Sequence, residues 1–287
     1  LILAGVDFET SLFYFYSMQT QTDFNNTWRK VASSIYRKPV DSKILGFVEL
    51  DITDLEEYIK HRRSEGLKIT LTHIFTLAVA RALATEVPEL NTYVRRGYIV
   101  QREHIDAMVS VLLREQQMGT IHVPDADKMT LKEVSEYMHD EIRKSRKGDE
   151  NKTMRLKGMM AAIPWPFRNW LYKLLKRITI DWGLSLPSIG LGVNSFGSFV
   201  VTNIGSIGLD MGFPALFPVS NVAIVFVLGG VSEKPWVVNG EIKIRKIVSL
   251  GAALDHRAVD ASHGGRLFTY LKSIAGHPEV LELKPSN

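Results

Sequence analysis

Two hydrophobic spacings alternate along this chain, and each predicts an element. Residues 51–64, DITDLEEYIKHRRS, place acids in the first turn and bases in the last, the polarity a helix dipole favours, and predict a short helix. The next run, KITLTHIFTLAVARALATEVPEL (68–90), is apolar on nearly every side. It predicts a longer helix, buried on most faces and ending near Pro88. Strand-like runs follow at DAMVSVLL (106–113) and GTIHVP (119–124), then an amphipathic helix over TLKEVSEYMHDEIRKSRK (130–147). Farther on the pattern turns to β-branched runs: GSFVVTNIG (197–205), VAIVFVLGGV (222–231) and KPWVVNGEIKIRKIVSLGAAL (234–254). Asn239-Gly240 inside the last run predicts a two-residue hairpin turn. SHGGRLFTYLKSIAG (262–276) closes the series as a helix, with Ser262 as N-cap and Gly276 as C-cap ahead of Pro278. A mixed sheet covered by helices accommodates this order in a single domain spanning 1–287.

Composition narrows the chemistry. With 287 residues, 45% of them hydrophobic, the chain can bury a substantial core. No apolar run approaches the ~20 residues that cross a bilayer as a helix, and the N-terminus lacks the basic start and cleavage pattern of a secretory signal. The absence of cysteine excludes disulfides, a thiol nucleophile and thiolate metal ligation. No metal site is expected. The net charge of +4 is unevenly spread: residues 143–177 carry eleven Lys or Arg against Asp149 and Glu150, so this segment is +9 and the remainder −5. A local patch of this kind argues against a nucleic-acid-coating protein, and for either one positive patch with a specific use or a solvated loop with none.

The segment LGAALDHRAVDASHGGRL (250–267) sets His256 where a strand should end and Asp260 one tight turn later, just before a helix start. A strand end is rigid backbone that can aim a side chain at a ligand. Alone, HxxxD is a weak signal, because most isolated histidines are structural or solvated. That reading is taken for His61, His73, His104, His122, His139, His263 and His277. The surroundings change the weight. LDHRAVDASHGGRL resembles the DHRxxDG signature of the catalytic domain of dihydrolipoamide acyltransferases, the core enzymes of 2-oxo acid dehydrogenase complexes, which belong with chloramphenicol acetyltransferase. The resemblance continues from FGSFVVTNIG to the motif, and upstream through LDITDLEEYI, KITLTHIFTLAVARALATEVPELN and VPDADKMTLKEV, covering most of the chain.

The resemblance implies an α/β (α+β) chloramphenicol acetyltransferase-like two-layer sandwich that forms trimers, or larger shells of trimers, in the cytoplasm or, in a eukaryote, the mitochondrial matrix. It implies transfer of an acyl group between dihydrolipoamide and coenzyme A by direct thiol attack on a thioester. His256 then stands in the place of the general base, Thr202 of VVTNIG in that of the oxyanion donor, and Asp260 in that of the aspartate that steadies the histidine loop by pairing with an arginine, for which Arg29 is the candidate. Base and hydroxyl donor would come from different chains, with coenzyme A and lipoamide entering from opposite ends of an interface channel. Lipoyl carriers and the other dehydrogenase components are the implied partners.

Three features depart from that pattern. The glycine after the motif aspartate is Ala261, acceptable only if its backbone does not need positive φ. Residues 1–45 form an atypical N-terminal arm without a lipoyl domain or Pro/Ala-rich linker, so the lipoyl group is expected on a separate carrier or domain. Residues 148–195 form a basic insertion in which Phe167, Trp170, Leu171, Leu174, Leu175 and Ile178 share one helical face and Arg168, Lys173, Lys176 and Arg177 the other, with Pro166 in the first turn. Over 163–182 this helix suits an anionic membrane surface, a partner, a lid over a longer acyl chain, or packing within its own trimer. Two other functional readings stay open: a catalytically silent trimeric scaffold, and an acyltransferase with a non-lipoyl acceptor.

Overall fold

The computed structural model describes residues 42–112, 118–147, 163–164, 167–186, 192, 194–216 and 220–285. In chain order the elements are β1 (Lys43–Asp51), α1 (Thr53–Ser64), α2 (Leu71–Thr85), β2 (Thr92–Arg95), β3 (Tyr98–Gln101), β4 (Ala107–Leu112), β5 (Met118–Val123), α3 (Leu131–Lys147), α4 (Phe167–Lys176), β6 (Phe199–Asn203), β7 (Ile224–Val238), β8 (Glu241–Asp255) and α5 (Ala261–Gly276). Among the described residues six strands form one sheet in the order β1-β8-β7-β6-β4-β5. β6 runs parallel to β4 and β7, and the other pairs are antiparallel. β2 and β3 make a separate hairpin.

The period-2 alternation of the strands separates two faces. Ile224, Phe226 and Leu228 of β7, Phe199 and Val201 of β6, and Leu250, Ala252 and Leu254 of β8 join the main core with α1, α2, α3 and α5. Every residue of α2 from His73 to Leu83 is buried there, which explains why its sequence is apolar all round. On the other face Val200, Val225 and Ala253 meet Leu216, Val222 and Phe196. The loop after β6 crosses this second face against bare backbone. A Cβ on Gly229 would stand 2.0 Å from the Asp210 carbonyl oxygen, and one on Gly251 2.7 Å from that of Gly212.

Asn239 and Gly240, at φ 53° and 82°, form the expected tight turn between β7 and β8. These strands run on for 15 residues each, past a one-residue bulge between Leu228 and Val231. The C-terminal helix differs from expectation at both ends. Its N-cap is Asp260, two residues before Ser262, and its C-cap is His277, with Gly276 still helical. Asp260 has the extended backbone an N-cap requires (φ −115°, ψ 173°) and is as good a capping residue as serine.

Candidate active site

The end of β8 delivers His256 into a turn fastened on two sides. The Asp255 N–H donates to the Ala223 carbonyl at the foot of β7 (2.9 Å), and the His256 N–H to that of Ser42, just before β1 (2.6 Å). The Ala258 and Val259 N–H groups both return to the Asp255 carbonyl, closing the turn. Its two buried charges face each other. Arg257 Nε lies 2.9 and 3.1 Å from the Asp255 carboxylate oxygens, Nη2 adds a further contact, and both side chains are 7% exposed. Such a bidentate fork holds its partners in one geometry.

His256 itself is 30% exposed, so its ring is both held and reachable. Nδ1 lies 3.0 Å from the Val259 carbonyl oxygen. A carbonyl only accepts, so Nδ1 carries the proton and the lone pair sits on Nε2. Asp260 Oδ1 is 3.4 Å from the same Nδ1. Asp260 is fixed through its own backbone: its N–H donates to His263 Nδ1 at 2.9 Å. His263 Nε2 in turn lies 3.7 Å from Glu89, which Arg266 also binds at 2.8 Å. Ala261 is the first residue of α5 and is absent from the residues with positive φ, so alanine replaces glycine there without backbone strain.

Thr202 lies elsewhere. It is in register with Ser110 on β4 and Val227 on β7, and Val227 pairs with Gly251 on β8. Thr202 is therefore two strands from β8 and level with a residue five positions before His256. At the ~3.3 Å rise of a strand that is roughly 16 Å along the sheet, plus about 10 Å across it. One chain does not bring the two side chains together. Thr202 shares with Val200 the face of β6 turned away from the main core, while the next residue, Asn203, anchors the strand end to α2 through Thr72 Oγ1 (3.0 Å). Arg29 lies outside the described residues. Among the described residues no group of three or more His, Cys, Asp or Glu is arranged to hold a metal ion. A cavity of about 210 Å³ beside Asn91, Arg102 and Asp127 includes none of Thr202, His256 or Asp260.

Sequence reasoning anticipated the adjacency of His256 and Asp260 but not the Asp255–Arg257 pair. The signal was available: at a strand end, residues two apart project to the same side.

Comparison with known proteins adds an independent line. The family model for 2-oxoacid dehydrogenases acyltransferase (catalytic domain) matches residues 22–158 and 194–283. The dihydrolipoyllysine-residue acetyltransferase component of the pyruvate dehydrogenase complex of Acholeplasma laidlawii is 38% identical over 96 residues, covering 33% of this chain and 17% of that protein. The lipoamide acyltransferase component of the branched-chain alpha-keto acid dehydrogenase complex of Bacillus subtilis (strain 168) is 24% identical over 233 residues, covering 79% and 45%. The chain thus spans less than half the length of these relatives. A probable dihydrolipoamide acetyltransferase from Listeria monocytogenes superposes with a TM-score of 0.62 at 17% identity, covering 96% of this chain and 95% of that one. The cubic core of the pyruvate dehydrogenase multienzyme complex gives 0.60 at 15% identity, covering 99% and 100%. Chloramphenicol acetyltransferase gives 0.51 at 12%, covering 88% and 97%. At these identities the structural likenesses establish the chloramphenicol acetyltransferase-like fold.

Proposed function

This chain belongs to the 2-oxoacid dehydrogenases acyltransferase (catalytic domain) family, and on that premise we propose that it moves an acyl group between dihydrolipoamide on a lipoyl carrier and coenzyme A. The attacking thiol, with a pKa of ~8.5, is mostly protonated at neutral pH and needs a base. Nε2 of His256 accepts the S–H proton as the sulfur bonds to the thioester carbonyl carbon and the carbonyl electron pair moves to oxygen. Collapse reforms the carbonyl and breaks the original C–S bond, and the departing sulfur takes the proton back from His256. Proton and electrons balance without an acyl-enzyme.

The observation that carries this reading is the Nδ1–H bond of His256 to the Val259 carbonyl, which leaves the lone pair of a half-buried ring on Nε2. Asp260 stabilises the imidazolium formed midway. Asp255 and Arg257 act as positioning residues for the turn. Thr202 supplies a hydroxyl to the oxyanion from a neighbouring copy, because within one chain it is too far away. Two copies must therefore meet at each site, and a homotrimer, alone or within a larger shell, satisfies that requirement.

The test is single-turnover transfer from acetyl-, isobutyryl- and longer acyl-coenzyme A to free dihydrolipoamide. His256→Ala should lower it by about 10²–10⁴-fold, and Thr202→Val by about 10²–10³-fold. Assemblies refolded from an equal mixture of the two variants should recover roughly a quarter of the sites, since random assortment pairs an intact base with an intact hydroxyl that often. Unchanged activity in His256→Ala would sink the mechanism. No recovery in the mixture would place both groups in one chain. Transfer by neither wild type nor variant would favour a silent scaffold or a non-lipoyl acceptor.

A further inference from the structure

Residues 159–193 fall between the two stretches matched by the family model, and α4 occupies the middle of that segment. Its C-terminal end is firmly seated. A π-helical turn, Arg177–Asp181, follows α4 and buries Thr179 and Ile180. The Arg96 N–H, in the β2–β3 turn, donates to the Asp181 carbonyl at 3.3 Å, and Arg95 Nε to that of Trp182 at 3.2 Å. Asn221 Nδ2, just before β7, reaches the Ile180 carbonyl at 3.5 Å. Rigid parts of the fold thus hold the helix by one end.

The other surface of α4 is open. Phe167 and Trp170 are 69% and 66% exposed, Leu174 is 39% exposed, and their i, i+3, i+7 spacing puts them in one stripe. Trp182 and Leu184, just past the π turn, extend the exposed apolar surface. Cations flank it: Lys173 is exposed, and the Arg177 guanidinium stands 5.9 Å over the Trp182 ring. Between Glu150 and Asp181 the sequence holds seven Lys or Arg and no acidic residue.

A helix that docks in a protein groove offers a broad apolar face including the i+4 positions. Here Leu171, Leu175 and Ile178 are already partly covered by the chain itself. What remains is a narrow row of bulky side chains with Lys173 and Arg177 along one side. That shape suits shallow burial, ~5–10 Å deep, among headgroups, and the charge selects acidic ones. We propose that α4 and its π turn form a peripheral membrane-binding element whose ligand is an anionic lipid surface. The proposal stands apart from the acyl-transfer reading, since none of its residues lies in the His256 turn or β6.

The test is sedimentation of the full chain with phosphatidylcholine vesicles, with and without phosphatidylglycerol. Binding is expected only to the phosphatidylglycerol vesicles and should weaken as salt shortens the screening length. Lys173→Gln and Arg177→Gln should each lower the affinity roughly fivefold. The double variant Phe167→Ser/Trp170→Ser should abolish binding while leaving acyl transfer and the thermal transition unchanged. Failure of the wild type to bind acidic vesicles, or equal binding by the double variant, overturns the proposal. It is also overturned if the double variant dissociates the oligomer and the wild type ignores vesicles, because the face would then be a subunit contact.

Discussion

Replacing Arg257 with Met tests whether the buried ion pair beside His256 positions the base. The substitution nearly preserves side-chain length but removes every guanidinium contact to Asp255, whose side chain is only 7% exposed. A carboxylate left unpaired at such a site destabilises a protein by about 3–5 kcal/mol. Loss of activity in this single variant would therefore be ambiguous. The double variant Asp255→Leu/Arg257→Met removes both charges together, and well-packed apolar pairs of that kind are close to neutral in stability. It should stay folded and oligomeric. Its His256 turn would nonetheless lack the fork that fixes it, and a misplacement of ~1 Å lowers turnover by roughly 10²-fold. The assay is steady-state acyl transfer on the folded double variant, with kcat and KM measured separately, beside Arg257→Lys. We expect kcat to fall and KM to hold, with Lys restoring stability but not all of the rate. A double variant turning over at the wild-type rate would refute the positioning role.

Other consequences are equally open to measurement. His73 sits in the first turn of α2, accepts the Thr70 N–H on Nδ1 (3.0 Å) and stacks near His139 at 5.3 Å; burial first, then the charge of His139 and Arg63, lowers its pKa from 6.5 to about 4. Above pH 6.5 neither state holds the proton. As pH falls toward 4 the unfolded chain binds it first, so unfolding free energy should drop by about 3 kcal/mol over that window. His73→Gln keeps a capping-box residue without a titrating ring, so chemical denaturation across pH should show a correspondingly shallower slope, and an identical slope would rule His73 out. Gly229→Ala forces a Cβ against the Asp210 carbonyl. Overpacking of this kind should destabilise by about 1–3 kcal/mol, a melting shift of several degrees, and an unshifted transition would mean that the loop after β6 is not seated as described.

What could be read from the chain alone followed from the range of each signal. The long helices and the β7–β8 hairpin announced themselves because periodicity accumulates over many residues and Asn-Gly is a strong turn signal. β1 escaped notice because it lies at the edge of the described sheet and from Lys43 to Val48 its positions alternate only between exposed and half-buried. The β2–β3 hairpin escaped because its strands are four residues each and its turn sets Arg96, not a usual turn residue, at φ 50°. At the site, His256 and Asp260 are neighbours in sequence and so were legible as a unit. Asp255 and Arg257 are closer still, but their pairing depends on side-chain direction at a strand end. The separation of Thr202 from His256 is a property of sheet register, which no motif encodes.

The place where the extra segment enters has a consequence for how the chain could have come by it. It joins the end of α3, at Lys147, to β6 at Phe199, and the entry to β6 is pinned independently: the Ser198 N–H donates to the Asp106 carbonyl at 2.7 Å, and Ser198 Oγ to that of His104 at 2.9 Å. Both anchor points belong to the sheet and helices, so chain closure sets only a weak limit on the length of the span between them. Loop-closure entropy grows only with the logarithm of length. Lengthening that span by the 35 residues of 159–193 costs about 1 kcal/mol, less than one poorly packed core side chain. Chain closure is therefore a small barrier to gaining this element, and what had to arise with it is the seat of its π turn, where Thr179 and Ile180 are buried and Arg95, Arg96 and Asn221 hold the backbone.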